Sequence, residues 1–169
     1  VTLSGRLLAT PARYMLAVAV LAALAAGLFS IRWLAPQHPA IATVTEVSEG
    51  VTLGDELDAD VAQVDSAVES GQLVVVPRGG SIAVRYEDGT EIRVKGDSRV
   101  TFGAEQAGQP KEIRIERGVA IADVKPQAVG PLRFVTPHAV AAAPAAILRL
   151  VVTDDSTILD VSEGNVRFD

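Results

Sequence analysis

The stretch 82-IAVRYEDGTEIRV-94 decides how the chain is to be read. Ile82, Val84 and Tyr86 fall on one side of an extended backbone, and Ala83 and Arg85 on the other. Beyond the glycine, Ile92 and Val94 alternate with Glu91, Arg93 and Lys95. Period-two alternation marks a strand with one buried and one wet face. Asp88-Gly89 between the two runs is a tight-turn signal, because glycine adopts positive φ without steric cost. The acids Glu87, Asp88 and Glu91 admit two readings, a metal or catalytic cluster or the solvated end of a hairpin. The flanking alternation selects the hairpin, with Glu87 and Asp88 at its wet tip and Glu91 on its polar face.

The same grammar recurs. In 112-EIRIERGVAIADV-124, Ile113 and Ile115 alternate with Glu112, Arg114 and Glu116. In 157-TILDVSEGNVRF-168, Leu159 and Val161 flank Asp160, and Val166 and Phe168 flank Arg167. Each segment carries glycine just after charged residues, so each reads as strand, turn and strand. The run 73-LVVV-76 suits a strand buried on both faces. Residues 41–169 are therefore expected to form an all-β domain, either a β-sandwich or a short β-solenoid-like stack of hairpins. The one candidate helix in this part, a weak one, is 58-DADVAQVDSAV-68.

The first forty residues differ in kind. They hold Arg6, Arg13 and Arg32 but no acid, so residues 41–169 carry all 21 acids against 12 bases, a net charge of about −9. The run 14-YMLAVAVLAALAAGLFSI-31 has no charge, and as a helix at about 1.5 Å per residue it reaches roughly 27 Å, the thickness of a hydrocarbon core. Tyr14 and Trp33 suit the two interfaces, and Arg6 and Arg13 place the N-terminus in the cytoplasm. The expected organisation is a cytoplasmic segment 1–13, a transmembrane helix 14–34, a linker 35–40 and an exported β-domain 41–169. A cleaved signal peptide ending near 35-APQHPA-40 and a buried core helix are the competing readings. Val1 in place of Met suggests a fragment or a GUG start, and a cytoplasmic part upstream is expected on the first of these.

Composition narrows the chemistry. The acidic balance argues against nucleic acid as a partner. The chain has no cysteine, hence no disulfide and no thiolate ligand. His38 lies between prolines, and His138 has no G-x-S-x-G elbow or neighbouring histidine to form a triad. The acidic 54-GDELDAD-60 lacks the calcium-loop pattern, and 78-RGGS-81 is too short for a phosphate loop. Aromatic content of 4% offers few platforms for sugar rings. No catalytic residue, cofactor or metal is assigned, and the chain is read as a non-enzyme.

Taken in order, 79-GGSIAVRYEDGTEIRV-94, 97-DSRVTF-102, 111-KEIRIERGVAIADV-124, 135-VTPHA-139 and 157-TILDVSEGNVRF-168 resemble the FecR protein family. Where that family tends to read G-T-x-F after its T-P-x-A motif, this chain has 141-AAAP-144 followed by 145-AAIL-148; Pro144 lacks an N–H and is expected at a strand start, an edge or a bulge. The resemblance implies a periplasmic sensing module of a single-pass inner-membrane regulator. A cytoplasmic part of such a regulator restrains or assists an extracytoplasmic-function sigma factor, and the periplasmic part contacts an envelope protein. Contact is expected through strand addition or through the charged faces at Arg85, Arg93, Arg114 and Glu116, for which a merely solvated face is the competing reading. The rival function is an envelope-structural or polysaccharide-binding module with no signalling role.

Overall fold

The computed structural model describes residues 39–54, 59–103 and 110–169, all within one compact unit spanning His38–Asp169. The expected cytoplasmic segment, transmembrane helix and most of the linker lie outside the described residues, as does most of the acidic 54–60 segment. Along the chain the strands are β1 (Ala40–Val47), β2 (Thr52–Leu53), β3 (Asp60–Val61), β4 (Ala67–Glu69), β5 (Gln72–Val76) and β6 (Ser81–Tyr86). They continue with β7 (Glu91–Phe102), β8 (Glu112–Val124), β9 (Leu132–Val135), β10 (Val140–Val152) and β11 (Thr157–Phe168). There is no helix among the described residues. The candidate helix at 58–68 is replaced there by β3, a turn with Asp65 at φ 69°, and the start of β4. Its Val and Asp content has low helix propensity, so nothing local resisted the sheet.

All eleven strands join one sheet, ordered β11-β10-β9-β8-β7-β5-β2-β3, with β6 pairing β7 and β1, and β1 pairing β4. The opening stretch is the expected hairpin, with Ile82 opposite Val94 and Val84 opposite Ile92. The other two glycine-punctuated segments are not hairpins. Each is one long strand, β8 of 13 residues and β11 of 12, in which Gly118 (φ 110°) and Gly164 (φ 87°) bend the backbone without reversing it. Positive φ serves a bulge as well as a turn, so glycine alone does not separate the two.

These bends fold the sheet over. The first half of β7, Glu91–Lys95, pairs β6 and the second half of β8; its second half, Arg99–Phe102, pairs the first half of β8, while Ser98–Phe102 opposes β5. At the corner Gly96 and Asp97 take φ of 42° and 47°. The neighbouring Ser98 hydroxyl donates to the Lys95 carbonyl at 2.7 Å and accepts the Val119 amide at 3.1 Å. β10 bends in the same manner: Val140–Ala143 pairs β9 and Ala146–Val152 pairs β8. Pro144 sits exposed in the register shift between Ala142 and Ala145, the bulge its missing N–H called for.

Inward residues from both halves meet in one core. Val84, Ile92 and Val94 join Val100, Phe102, Ile113, Ile115, Phe134, Leu148 and Leu150, each at most 1% exposed. Burial of such a side chain contributes about 1.5–3 kcal/mol. The Tyr86 and Phe102 rings lie 6.5 Å apart, so the C-terminal ends of β6 and β7 meet across this core. The run 73–76 is buried as expected except for Val75, which is half-buried. On β11 the expected buried face is incomplete. Leu159 and Val166 pack against the core, whereas Val161 and Phe168 remain 43% and 44% exposed.

Candidate protein-contact surface

The four charged residues marked in the sequence divide between two places. Arg85 and Arg93 point outward from the β6–β7 hairpin, and Arg114 and Glu116 from the first half of β8. Each already has an ionic partner. Arg85 donates to Glu91 at 2.7 Å, and Arg93 lies 3.1 Å from Glu46 and 3.5 Å from Glu91. Arg114 meets Glu112 at 3.2 Å, and Arg99 meets Glu116 at 3.2 Å. Exposed pairs of this kind contribute about 0–1 kcal/mol each. They form a solvated outer face spread over the sheet and no single convergent patch.

The acidic turn is more than a wet tip. The Asp88 side chain is only 24% exposed and accepts bonds from four groups. Oδ1 takes the Thr90 amide at 2.9 Å. Oδ2 takes the Thr90 hydroxyl at 3.1 Å, Lys111 Nζ at 2.7 Å and Gln127 Nε2 at 2.8 Å. Lys111 Nζ also lies 5.2 Å from the centre of the Tyr86 ring. Gly89 takes φ 83° and its amide donates to the Tyr86 carbonyl at 3.0 Å, which closes the turn. Partial burial pulls the Asp88 carboxyl pKa upward, but the bonds from Lys111, Thr90 and Gln127 and the Lys111 charge outweigh it, so the net shift is downward. Burial, reinforced by the Asp88 charge, holds the Tyr86 phenol far above its ordinary value. The turn therefore ties the β6–β7 hairpin to the start of β8 and to the loop after it. Glu87 and Asp88 both keep the exposed position assigned to them, but the Asp88 carboxylate is turned back into this network.

The 135-VTPHA-139 segment is likewise a turn built from its own side chains. Thr136 Oγ1 accepts the amides of His138 at 3.3 Å and Ala139 at 3.0 Å, and lies 2.8 Å from the Thr157 hydroxyl. His138 Nε2 lies 3.2 Å from the Thr153 carbonyl. His138 thereby joins the β9–β10 turn to the β10–β11 turn.

One unfilled surface lies at the β11 end of the sheet. Among the described residues β11 pairs with β10 alone, and Ile158, Val161 and Phe168 on it are 54%, 43% and 44% exposed. Thr153 N–H donates to the Ser156 carbonyl at 2.9 Å, and strand alternation from that bond turns the N–H and C=O of Thr157, Leu159 and Val161 toward the open side. Backbone groups without a sheet partner and apolar side chains thus share one edge. Alternation predicts the strand but not its place at the border, which depends on the order of all the others.

The family model described as FecR protein matches residues 72–167. The chain belongs to the FecR family. The FecR match runs from β5 through β11, so it contains the folded-over corner, the Asp88 turn, the Thr136 turn and the open edge. Strands β1 to β4 precede the FecR match, yet β1 is bonded directly to β6 inside it. Searches of the curated proteins and of the solved structures found no significant match.

Proposed function

We propose that this FecR domain is the extracytoplasmic sensing module of a single-pass inner-membrane regulator. It binds an envelope protein and, through a cytoplasmic part of the same regulator, controls an extracytoplasmic-function sigma factor. Family membership supports a regulatory role acting through protein contact. The apolar run 14–31 and the arginines before it support the topology. The mode of action is binding without catalysis. The observation that carries the reading is the open β11 edge, where unpaired backbone groups lie beside Ile158 and Val161. Such an edge accepts an added strand from a partner.

The test is transcriptional. RNA sequencing of cells that lack the protein, produce it, or produce an Ile158→Lys, Val161→Lys form should reveal one gene set that responds to the first two and no longer follows the third. A transcriptome indifferent to all three forms would sink the proposal. A reporter enzyme fused after Asp169 tests the topology separately, and activity confined to the cytoplasm would reverse it.

A further inference from the structure

We infer that the segment the β11 edge accepts is an extended strand with basic residues at alternate positions, and that a second copy of this chain is disfavoured there. The inference rests on the edge reading just given and adds the chemistry of the occupant.

The charges along this border are one-sided. Asp154 and Asp155 form the turn that leads into β11, and Asp160 and Glu163 lie on the strand; all four are exposed. Arg149 stands across from Asp160 at 4.0 Å, too far for a tight pair, and Glu163 has no ion pair among the described residues. Arg167 is engaged by Asp169 at 3.0 Å. The free charge that remains is acidic.

Register places these acids usefully. Asp160 stands opposite Arg149, and Glu163 opposite Ile147, on the outer face of the sheet. Leu159 and Val161 lie on the other face, opposite the core residues Leu150 and Leu148. The same Leu159 and Val161 offer their N–H and C=O groups to the open side. An incoming strand therefore bonds its backbone to Leu159 and Val161 and lays its inward residues against their side chains. Its outward residues fall beside Asp160 and Glu163, where a Lys or Arg is a favourable cross-strand neighbour and an Asp or Glu an unfavourable one. A second copy would bring its own β11 acids and a domain carrying 21 acids against 12 bases over residues 41–169. Charges on an edge strand and a register shift between Ile147 and Leu148 are devices that discourage like edges from pairing. The features that turn away a second copy are the ones that favour a basic strand.

The experiment uses the full chain in a nonionic detergent and three synthetic peptides that alternate valine with lysine, with threonine or with glutamate. Fluorescence anisotropy should give binding in the order lysine, threonine, glutamate, with about a tenfold gap between the outer two at low salt. The gap should shrink as salt rises. It should also vanish in the Asp160→Asn, Glu163→Gln chain and reverse in the Asp160→Lys, Glu163→Lys chain, with circular dichroism reporting that both are folded. Equal binding of the three peptides overturns the charge inference and leaves the edge reading intact. Binding of none of them overturns both. Self-association in ultracentrifugation that disappears with Val161→Lys also overturns the inference, because the edge would then be filled by a second copy.

Discussion

Ser98 occupies the space that a Cβ on Gly118 would need, and its hydroxyl holds the amide of the next residue, Val119. The corner of β7 and the corner of β8 are thus one object, although 20 residues separate them. Gly118 takes φ 110°, which side chains rarely adopt, and its added Cβ would meet both Oγ and Cβ of Ser98. Gly118→Ala should therefore cost several kcal/mol, about 3 or more, since strain and a clash add. Urea unfolding followed by circular dichroism measures it, and a loss below 1 kcal/mol would refute the corner.

Gly89 poses the opposite case. It takes φ 83°, but the nearest atom to an added Cβ is Lys125 Cγ at an ordinary 3.7 Å. Space is available and only the backbone conformation resists. Gly89→Val should cost about 1–2 kcal/mol, and Gly89→Asn distinctly less, because asparagine tolerates the left-handed region. A thermal melt in which the two variants are equal would refute the turn.

Asp88 predicts a pH dependence. Its folded pKa lies below the ordinary value, so its contribution is fully present above the unfolded carboxylate pKa and is lost as pH falls through the lowered folded value. Asp88→Asn should remove about 1–2 kcal/mol at neutral pH, discounted for partial exposure, and flatten the acid limb of a stability-versus-pH profile. Lys111→Met should raise the Asp88 pKa, which carboxyl NMR titration reads directly. An unchanged titration would detach Lys111 from the network.

The surface arginines should behave otherwise. Arg85→Ala and Arg114→Ala remove exposed pairs at 2.7 and 3.2 Å, and each should change stability by no more than about 0.5 kcal/mol. Partner capture should survive these changes and fail with Ile158→Lys, Val161→Lys. The reverse pattern would return the contact surface to the charged face.

Local grammar made the strands legible: the 82–94 hairpin, the β5 run and the bulge at Pro144 follow from alternation, turn residues and a missing N–H. Gly118 and Gly164 read locally as turns but bend single strands, because positive φ bends a strand as readily as it ends one and only the pairing of other strands decides between them. Alternation places Asp88 at an exposed tip but does not reveal its network, because Lys111 and Gln127 lie 23 and 39 residues away and nothing local announces that they return to it. Arg85, Arg93, Arg114 and Glu116 are charged and each lies in an ion pair, while Arg93 Nε is buried without a hydrogen-bond partner among the described residues. Which strand forms an open edge is not legible locally, since a strand is a border only when no other strand pairs its second side.

The first and last described strands also differ in how they carry load. β1 is hydrogen-bonded on both sides, to β4 and to β6. Tension drawn along its axis from the chain before Ala40 strains many bonds at once, in shear. Among the described residues β11 is held on one side only, and a force at Asp169 directed away from β10 opens its bonds one after another. The domain is mechanically polar, stiff where the chain enters and yielding where it leaves, so a tug at the open edge can peel away the last strand while the remainder of the sheet keeps its shape.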